Sequence, residues 1–486
     1  MSLRLFNTRT RSLENFRSRN EPDVDIYVCG LTPSAEAHLG HARTYLFFDV
    51  LRRYLEHQGW RVRYVQNVTD IDDRSIARAR ETGEQWYDIV RGYYATFKDA
   101  MKKLSVREPD REPYATMHIP SIQAMIRELI ERTYAYPTVD GIYYDVSQFK
   151  RYGQFSGRNL DELMAGARIE VDEHKADPLD FALWKFAKPG EPSWEFPGYG
   201  AGRPGWHIEC SAMSREILGE RFDIHGGGAD LIFPHHENEI AQSEPLMREP
   251  PMADFWIHAG MLLFDKKKMS KSLGNFEPLS ALLTRHDPQA IRLLFLQTGY
   301  SKVMNFTEES ITAASMSLEK LKSGWRTLRQ AEPNGAPTTP AQGLLQKIEA
   351  ALDNDMNTAG ALGELHSYLT AAEKSIGRGA GAGFFAPYDR ALNLLGLIPD
   401  ASWSAQLPES RTLPPDVLQQ LAQALDGELV LDGISPEEAV GLVVELRAQA
   451  RRERDFRKSD RLRDVLANCG VTLKDSSQST TWSIGD

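Results

Sequence analysis

The sequence predicts an α/β protein: a parallel nucleotide-binding sheet with an insertion, followed by an α-helical bundle and a small C-terminal domain. Three observations predict it. Near the start, a short β-rich segment runs into a Gly- and Pro-bearing loop, a helix and a second strand. The middle of the chain mixes helical and short strand-like stretches, and after Ser270 the pattern turns helical.

The first strand is expected at Asp25–Cys29 and its loop at Gly30–Gly40. From His41 onward Leu46, Phe47, Val50, Leu51, Tyr54 and Leu55 recur at helical spacing, and Gly59 is the natural stop. Arg61–Val68 reads as the second strand and ends in the acidic loop that begins at Thr69. Strand, loop, helix, strand opens a nucleotide-binding sheet, whose ligand belongs at the strand ends. Pro113 to Pro204 reads as the insertion. Flexible connections are expected at the Pro-rich stretch starting at Pro333, the Gly-rich run starting at Gly377, and Pro399 to Pro415.

With 486 residues the chain has room for about three domains. Its 41% hydrophobic and 26% charged residues are the balance of a soluble globular protein. No apolar run of membrane-spanning length occurs, so no membrane partner and a cytoplasmic location are expected. Cys29, Cys210 and Cys469 are odd in number and scattered, which points to a reducing compartment and to thiolate chemistry rather than a disulfide scaffold. A net charge of −11 argues against a protein that coats nucleic acid non-specifically through clustered cations. From Arg447 to Asp464, however, eight basic residues outnumber four acidic ones, either a local nucleic-acid face or a solvated helix laced with i,i+4 pairs.

Two motifs carry the chemistry. His38-Leu39-Gly40-His41 falls where the first loop meets the first helix. A helix N-terminus attracts phosphate, Gly40 lets backbone approach closely, and two imidazoles can donate to phosphate oxygens, so ATP is the expected guest. Lys268-Met269-Ser270-Lys271-Ser272, with Lys266 and Lys267 before it, is a basic loop suited to a triphosphate. Satisfied surface histidines and a solvated lysine run are the bland alternatives. The two motifs in this order, in an α/β context, favour the nucleotide.

The pair resembles the signatures of class I aminoacyl-tRNA synthetases, which implies a Rossmann-type sheet and a reaction that begins with amino-acid adenylation. The segments around Tyr27, Asn67, Gly202, His225, Lys268 and Leu352, and the basic C-terminal region, are similar to the cysteinyl-tRNA synthetase family over almost the whole chain. The resemblance implies a Rossmann catalytic domain in two halves, 1–112 and 205–260, around a connective insertion at 113–204. A stem-contact region at 261–310, a helical tRNA-binding domain at 311–398 and an anticodon-binding domain at 416–486 would follow. It implies one Zn2+ per chain on Cys29, Cys210, His235 and Glu239, and Mg2+ with the ATP. Shape alone separates cysteine from serine by only about 1–3 kcal/mol, whereas a metal reads sulfur directly.

By the same resemblance Thr69 and Trp206 contact the amino acid. Gly40, Gly227, Gly228, Asp230 and Lys271 serve ATP, and His38, His41, Lys268 and Lys271 are catalytic. His207, His225 and His236 crowd the same region without separable roles. The sequence departs from the family at Leu31 and at Pro33 to Ala35, where Ser34 stands in place of a tyrosine. ATP, L-cysteine and cysteine tRNA are the expected partners of a monomer. The rival is a small-molecule cysteine ligase of the glucosaminyl-inositol type, which would lack the extended basic C-terminal region. A zinc hydrolase is disfavoured because HHENE at His235 is not H-E-x-x-H.

Overall fold

The computed structural model describes residues 2–158, 174–265, 267–268, 277–331, 341–376, 383–404, 416–425, 434–453, 455–475 and 480–484. They form two compact units, Met1–Asp400 and Ala401–Asp486.

The first unit opens on an antiparallel hairpin, β1 (Arg4–Asn7) and β2 (Ser12–Asn15). Next comes β3 (Asp23–Val28), which pairs in parallel with β4 (Arg61–Gln66) on one side and with β9 (Phe222–Gly228) on the other. β10 (Ala253–Ala259) extends the parallel sheet beyond β9, giving the order β10-β9-β3-β4. The chain thus leaves β3 towards one edge, returns, and leaves β9 towards the other. The carboxyl ends of β3 and β9 flank the point where strand order reverses, the place where open α/β sheets hold ligands.

Local chemistry explains where each element stops. Cys29 lies just past β3, its N–H already spent on Gly226 O at 2.9 Å. The helix Leu39–His57 begins where the His38 side chain accepts from the Gly40 N–H, and it ends before Gly59, whose φ of +92° suits glycine. β4 is shorter than expected because the Val68 N–H turns to Pro113 O at 2.9 Å and leaves the ladder. Gly226 is required by packing, since a Cβ there would enter the Phe48 ring.

Between the halves of the sheet, β5 (Ala135–Pro137), β6 (Gly141–Tyr144), β7 (Phe181–Phe186) and β8 (Gly202–Pro204) form a separate antiparallel sheet in sequence order. Tyr144, Phe181 and Trp184 from it share one buried core with Tyr27, Val65 and Trp256. Beyond β10, β11 (Leu262–Phe264) pairs with β12 (Lys267–Lys268) and, in parallel, with β13 (Met304–Phe306).

Helices Pro288–Leu296, Glu308–Ala331, Ala341–Leu352, Thr358–Ile376 and Phe385–Leu394 complete the first unit. They are knitted to the sheet domain. The fully buried Arg292 meets Asp49 at 2.6 Å, Tyr54 donates to Asp353 at 2.6 Å, and the Arg4 and Asp355 backbones exchange hydrogen bonds with the 353–355 turn and β1. The expected break near Pro333 is therefore not a boundary between compact units. The stretch 332–340, the run 377–382 and residues 405–415 lie outside the described residues.

The second unit holds helices Val417–Leu425, Pro436–Arg452 and Phe456–Asn468 and a hairpin of Val471–Asp475 with Thr480–Ile484. Leu421, Val440, Val443, Leu462 and Leu466 form its core. The basic run is not one helix: it is divided between the helix ending at Arg452 and the one beginning at Phe456, which the Asp455 carboxylate caps through the Lys458 N–H. Among the described residues no helix is long and apolar enough to cross a membrane.

Candidate metal and nucleotide site

Four segments deliver side chains to the strand-order switch. Cys29 follows β3 and Cys210 lies in the helix Trp206–Leu218. His235 and Glu239 are one turn apart, Glu239 in the helix Glu237–Ser243. Their ligand atoms all lie within 4.8 Å of one another, and all four residues are buried. Cys29 Sγ is 3.7 Å from Cys210 Sγ and 3.4 Å from Glu239 Oε1, which is also 3.1 Å from His235 Nε2.

A ring of further histidines surrounds this quartet. His225 Nε2 is 2.9 Å from Glu239 Oε2, and His236 Nε2 is 3.3 Å from Cys29 Sγ. His236 Nδ1 is in turn 2.8 Å from His258 Nε2, and His258 Nδ1 is 2.8 Å from Thr8 Oγ1. His207 Nδ1 lies 3.0 Å from His235 Nδ1. Cys29, His225, His236 and Glu239 form a second close-set group that shares two members with the first.

Charge in this buried cluster is arranged for a cation. Burial opposes ionisation of Glu239, but His225 and His235 hold it at about 2. Burial likewise opposes the Cys210 thiolate, which the Cys29 thiol's hydrogen bond and His235 bring to about 6. His235, against burial, is lifted to about 10 by Glu239 and Cys210. Cys29 is pushed well up by burial and by Cys210 and Glu239. A carboxylate, a thiolate, a protonated imidazole and a thiol then share one small volume. A divalent cation in place of the Cys29 and His235 protons would leave two sulfurs, one nitrogen and one oxygen as ligands, a set that fits borderline metals.

A cavity of about 710 Å³ opens beside the cluster, with Cys29, His38, His41, Trp206 and Asp230 in its walls. The His38 and His41 rings stack at 3.8 Å and 18°. His38 Nδ1 accepts from Gly40 N–H at 3.1 Å, and His41 Nδ1 accepts from His38 N–H at 3.2 Å. Each ring's Nδ1 is an acceptor, so in the neutral form its proton sits on Nε2. Burial lowers both from the ordinary imidazole value, Asp230 opposing at His38, and His38 and Arg74 reinforcing at His41. Two neutral imidazoles with fixed tautomers thus stand at the N-terminal turn of a helix, a ready phosphate-facing arrangement.

Gly40, Gly228 and Asp230 border the cavity, and Trp206 packs its ring on His235 at 4.4 Å. Gly227 and Thr69 do not line it. Gly227 packs against Leu231 and His236, and Thr69 is buried, accepting from Asn67 Nδ2 at 3.3 Å. Of the divergent loop, Leu31, Ser34 and Ala35 line the cavity, so the departures fall on its wall. Lys268 is placed only as backbone in β12, and Lys271 lies outside the described residues. His258 and Arg74, an isolated histidine in a strand and one arginine among many, carried no signal in the sequence.

The sheet, the switch-point cavity and the paired histidines define a class I tRNA synthetase. The family model of the "tRNA synthetases class I (C) catalytic domain" matches residues 15–316. The fold is also that of methionyl-tRNA synthetase from Mycobacterium tuberculosis in complex with methionyl-adenylate (TM-score 0.58, 15% identity, 80% of this chain and 95% of that one). A leucyl enzyme of Agrobacterium radiobacter K84, solved as a ternary complex with tRNA, gives a TM-score of 0.60 at 11% identity, over 77% and 84% of the two chains. Relatives narrow the class. Cysteine--tRNA ligases of Thermococcus gammatolerans and Pelobacter propionicus are each 42% identical, over 99% and 100% of both chains, and that of Azotobacter vinelandii is 42% identical over 100% of both. The chain belongs to the cysteine--tRNA ligase family.

Proposed function

We propose that the protein activates L-cysteine with ATP and transfers it to the 3′ end of cysteine tRNA. The observation that carries this reading is the buried Cys29, Cys210, His235 and Glu239 cluster in contact with a cavity that also holds His38 and His41. In the first step the cysteine carboxylate attacks the α-phosphorus of ATP, the bond to the β-phosphate breaks, and pyrophosphate leaves. In the second, a ribose hydroxyl of the tRNA attacks the activated carbonyl and AMP leaves.

The four cluster residues would hold Zn2+, which supplies a thiol-preferring ligand position that serine's harder hydroxyl fills poorly. His38 and His41 donate from Nε2 to phosphate oxygens as negative charge moves towards the leaving group. Trp206, packed against His235, bounds the cysteine side of the cavity, and Thr69 supports the wall at Leu31, to whose carbonyl its N–H donates at 3.2 Å. Asp230 accepts from the ribose hydroxyls beside Gly228. Lys268 and Lys271 neutralise the departing pyrophosphate, with Mg2+ accompanying the ATP. No side-chain nucleophile is needed, so the rate comes from positioning and charge stabilisation.

The reading extends to the whole chain. Residues 1–112 and 205–260 form the catalytic domain, 113–204 the insertion, 261–310 the stem-contact region, 311–398 the helical tRNA-binding domain and 416–486 the anticodon-binding domain of a cytoplasmic monomer. Exposed Arg451, Arg457, Arg461 and Arg463 give the last of these a cationic surface for phosphate. Pyrophosphate exchange with each amino acid in turn, then charging of unfractionated tRNA, tests the proposal. Cysteine alone should support both, and exchange with another amino acid, or none, would overturn it.

A further inference from the structure

Arg43 lies two residues beyond His41 on the same helix, yet it does not line the cavity and is only 3% exposed. Its guanidinium reaches two chain segments at once. Nη1 donates to Gly260 O and Met261 O, both at 3.0 Å, and Nη2 donates to Gly299 O at 3.1 Å and Lys302 O at 2.6 Å. None of its hydrogen bonds goes to a carboxylate. Four carbonyl dipoles compensate the buried charge, and burial lowers the group only to about 10, so it stays a cation.

These four carbonyls sit at a junction. Gly260 and Met261 join β10 to β11, the strand that leads to Lys267 and Lys268, and both line the cavity that His38 also lines. The 299–302 turn precedes β13, β11's parallel partner, and it is tied to the same junction by Gly260 N–H to Tyr300 O at 2.7 Å. Gly260 admits no side chain, because a Cβ would meet the carbonyls of Ser301 and Lys302. The far flank of the lysine-bearing segment is fastened to the same histidine-bearing element. Leu279 N–H donates to Ala37 O at 2.8 Å, Ser280 donates to Glu36 at 3.0 Å, and His38 forms a β-bridge with Pro278.

We infer that Arg43 is a positioning residue for adenylation: it sets the cavity wall at Gly260–Met261, and the strand leading to Lys268, against the His38–His41 turn. The inference rests on the proposed function above. Lysine cannot take over, because one ammonium cannot reach carbonyls on two segments in a planar fork. A displacement of about 1 Å in such a frame can cost a hundredfold in rate. The cysteine-binding cluster comes from other segments and is not held by Arg43.

The test compares the metal-loaded, full-length protein with Arg43→Met, Arg43→Lys and Arg43→Ala. The expected result is a drop of about a hundredfold in the maximal rate of cysteine-dependent pyrophosphate exchange for Met and Lys. Cysteine affinity measured without ATP should stay within about twofold, and millimolar guanidinium should partly restore Arg43→Ala. Unchanged exchange in Arg43→Met would overturn the inference. So would a parallel loss of cysteine binding that guanidinium does not relieve, which would make Arg43 only a folding residue. Absence of exchange in the unsubstituted protein would instead overturn the functional reading and this inference with it.

Discussion

His225 meets Glu239 at 2.9 Å on the carboxylate oxygen turned away from His235 and Cys29, with neither residue exposed to solvent. The contact fixes the direction in which the remaining oxygen, Oε1, faces the cluster. His225 is itself held flat on Trp256, with ring centroids 4.5 Å apart at 16°. Removing it as His225→Ala should weaken metal affinity about ten- to hundredfold, the usual effect of losing a group that orients a ligand. Competition against a chromophoric chelator measures this, and an unchanged affinity would show that Glu239 needs no such brace.

Metal uptake should release protons and strengthen as pH rises. In the metal-free cluster burial and its anionic neighbours keep Cys29 protonated, and His235 holds its proton up to about 10. Both protons must leave before a cation binds. Calorimetry in buffers of different ionisation enthalpy would reveal the release. Binding without proton exchange at pH 7 would contradict the ligand set.

For His38 and His41 the sign is opposite. Both are lowered by burial, so the folded state favours the neutral form and loses stability as pH falls below the ordinary imidazole value. The adenylation rate of metal-saturated protein should therefore show no decline between pH 6.5 and 8 that traces to these rings. His41→Ala should cost about a hundredfold or more, and His41→Gln, which keeps an N–H near the Nε2 position, should cost less. Equal losses in the two variants would remove the donor role. Lys271→Ala is expected to slow adenylation by a similar factor without changing cysteine affinity.

Arg292→Met should destabilise the first unit by up to about 3–5 kcal/mol, because it removes the fully buried partner of Asp49 and leaves that carboxylate to Arg53 and Arg107. Burial opposes ionisation of Asp49, yet Arg292 and Arg53 hold it below its ordinary value. The stabilisation is complete above the unfolded carboxylate value and is lost as pH falls through the lower folded value. Denaturant midpoints of the two proteins should converge below about pH 4, where the carboxyl is protonated in the unfolded chain. A difference that persists undiminished into acid would assign the loss to packing alone.

The boundary between compact units at Asp400 gives the truncation that should separate cysteine activation from tRNA charging. A chain cut near Ala331 would lose the 353–355 turn that holds β1 and Tyr54. A chain ending at Asp400 keeps that turn and Arg292's acceptor Leu395 O. It should retain cysteine-dependent exchange and lose most charging. Near-normal charging by this shorter chain would place tRNA recognition elsewhere.

The alternation of strand, loop and helix was legible because local rules govern it: β-rich runs, helical spacing and a histidine cap all lie within about 40 residues. The metal quartet was not legible from spacing, since Cys29 and Glu239 are 210 positions apart and only the sheet's strand reversal brings them together. Resemblance supplied those residues, and their convergence in one buried cluster followed. His258 and Arg43 stayed hidden for another reason. Each acts through partners on distant segments, and neither a lone histidine in a strand nor an arginine in a helix announces its contacts. The boundary between compact units at Asp400 falls within the connection expected from Pro399 to Pro415, but composition alone could not rank it above Pro333, because Pro and Gly report local chain direction whereas unit boundaries depend on buried contacts such as Arg292 with Asp49.

That 210-residue span also has a meaning in time. At roughly 5–20 residues per second of synthesis, Cys29 exists for about ten to forty seconds before Glu239 is even polymerised, and longer before Glu239 clears the ribosome. Until then its sulfur lacks the Glu239 side of the cluster and, once clear of the ribosome, is an ordinary thiol open to oxidants and stray metals. The insertion that carries β5–β8 must be made within the same window, so each residue added there lengthens the wait. The redox poise during synthesis therefore bears on whether Cys29 reaches the finished cluster as a thiol.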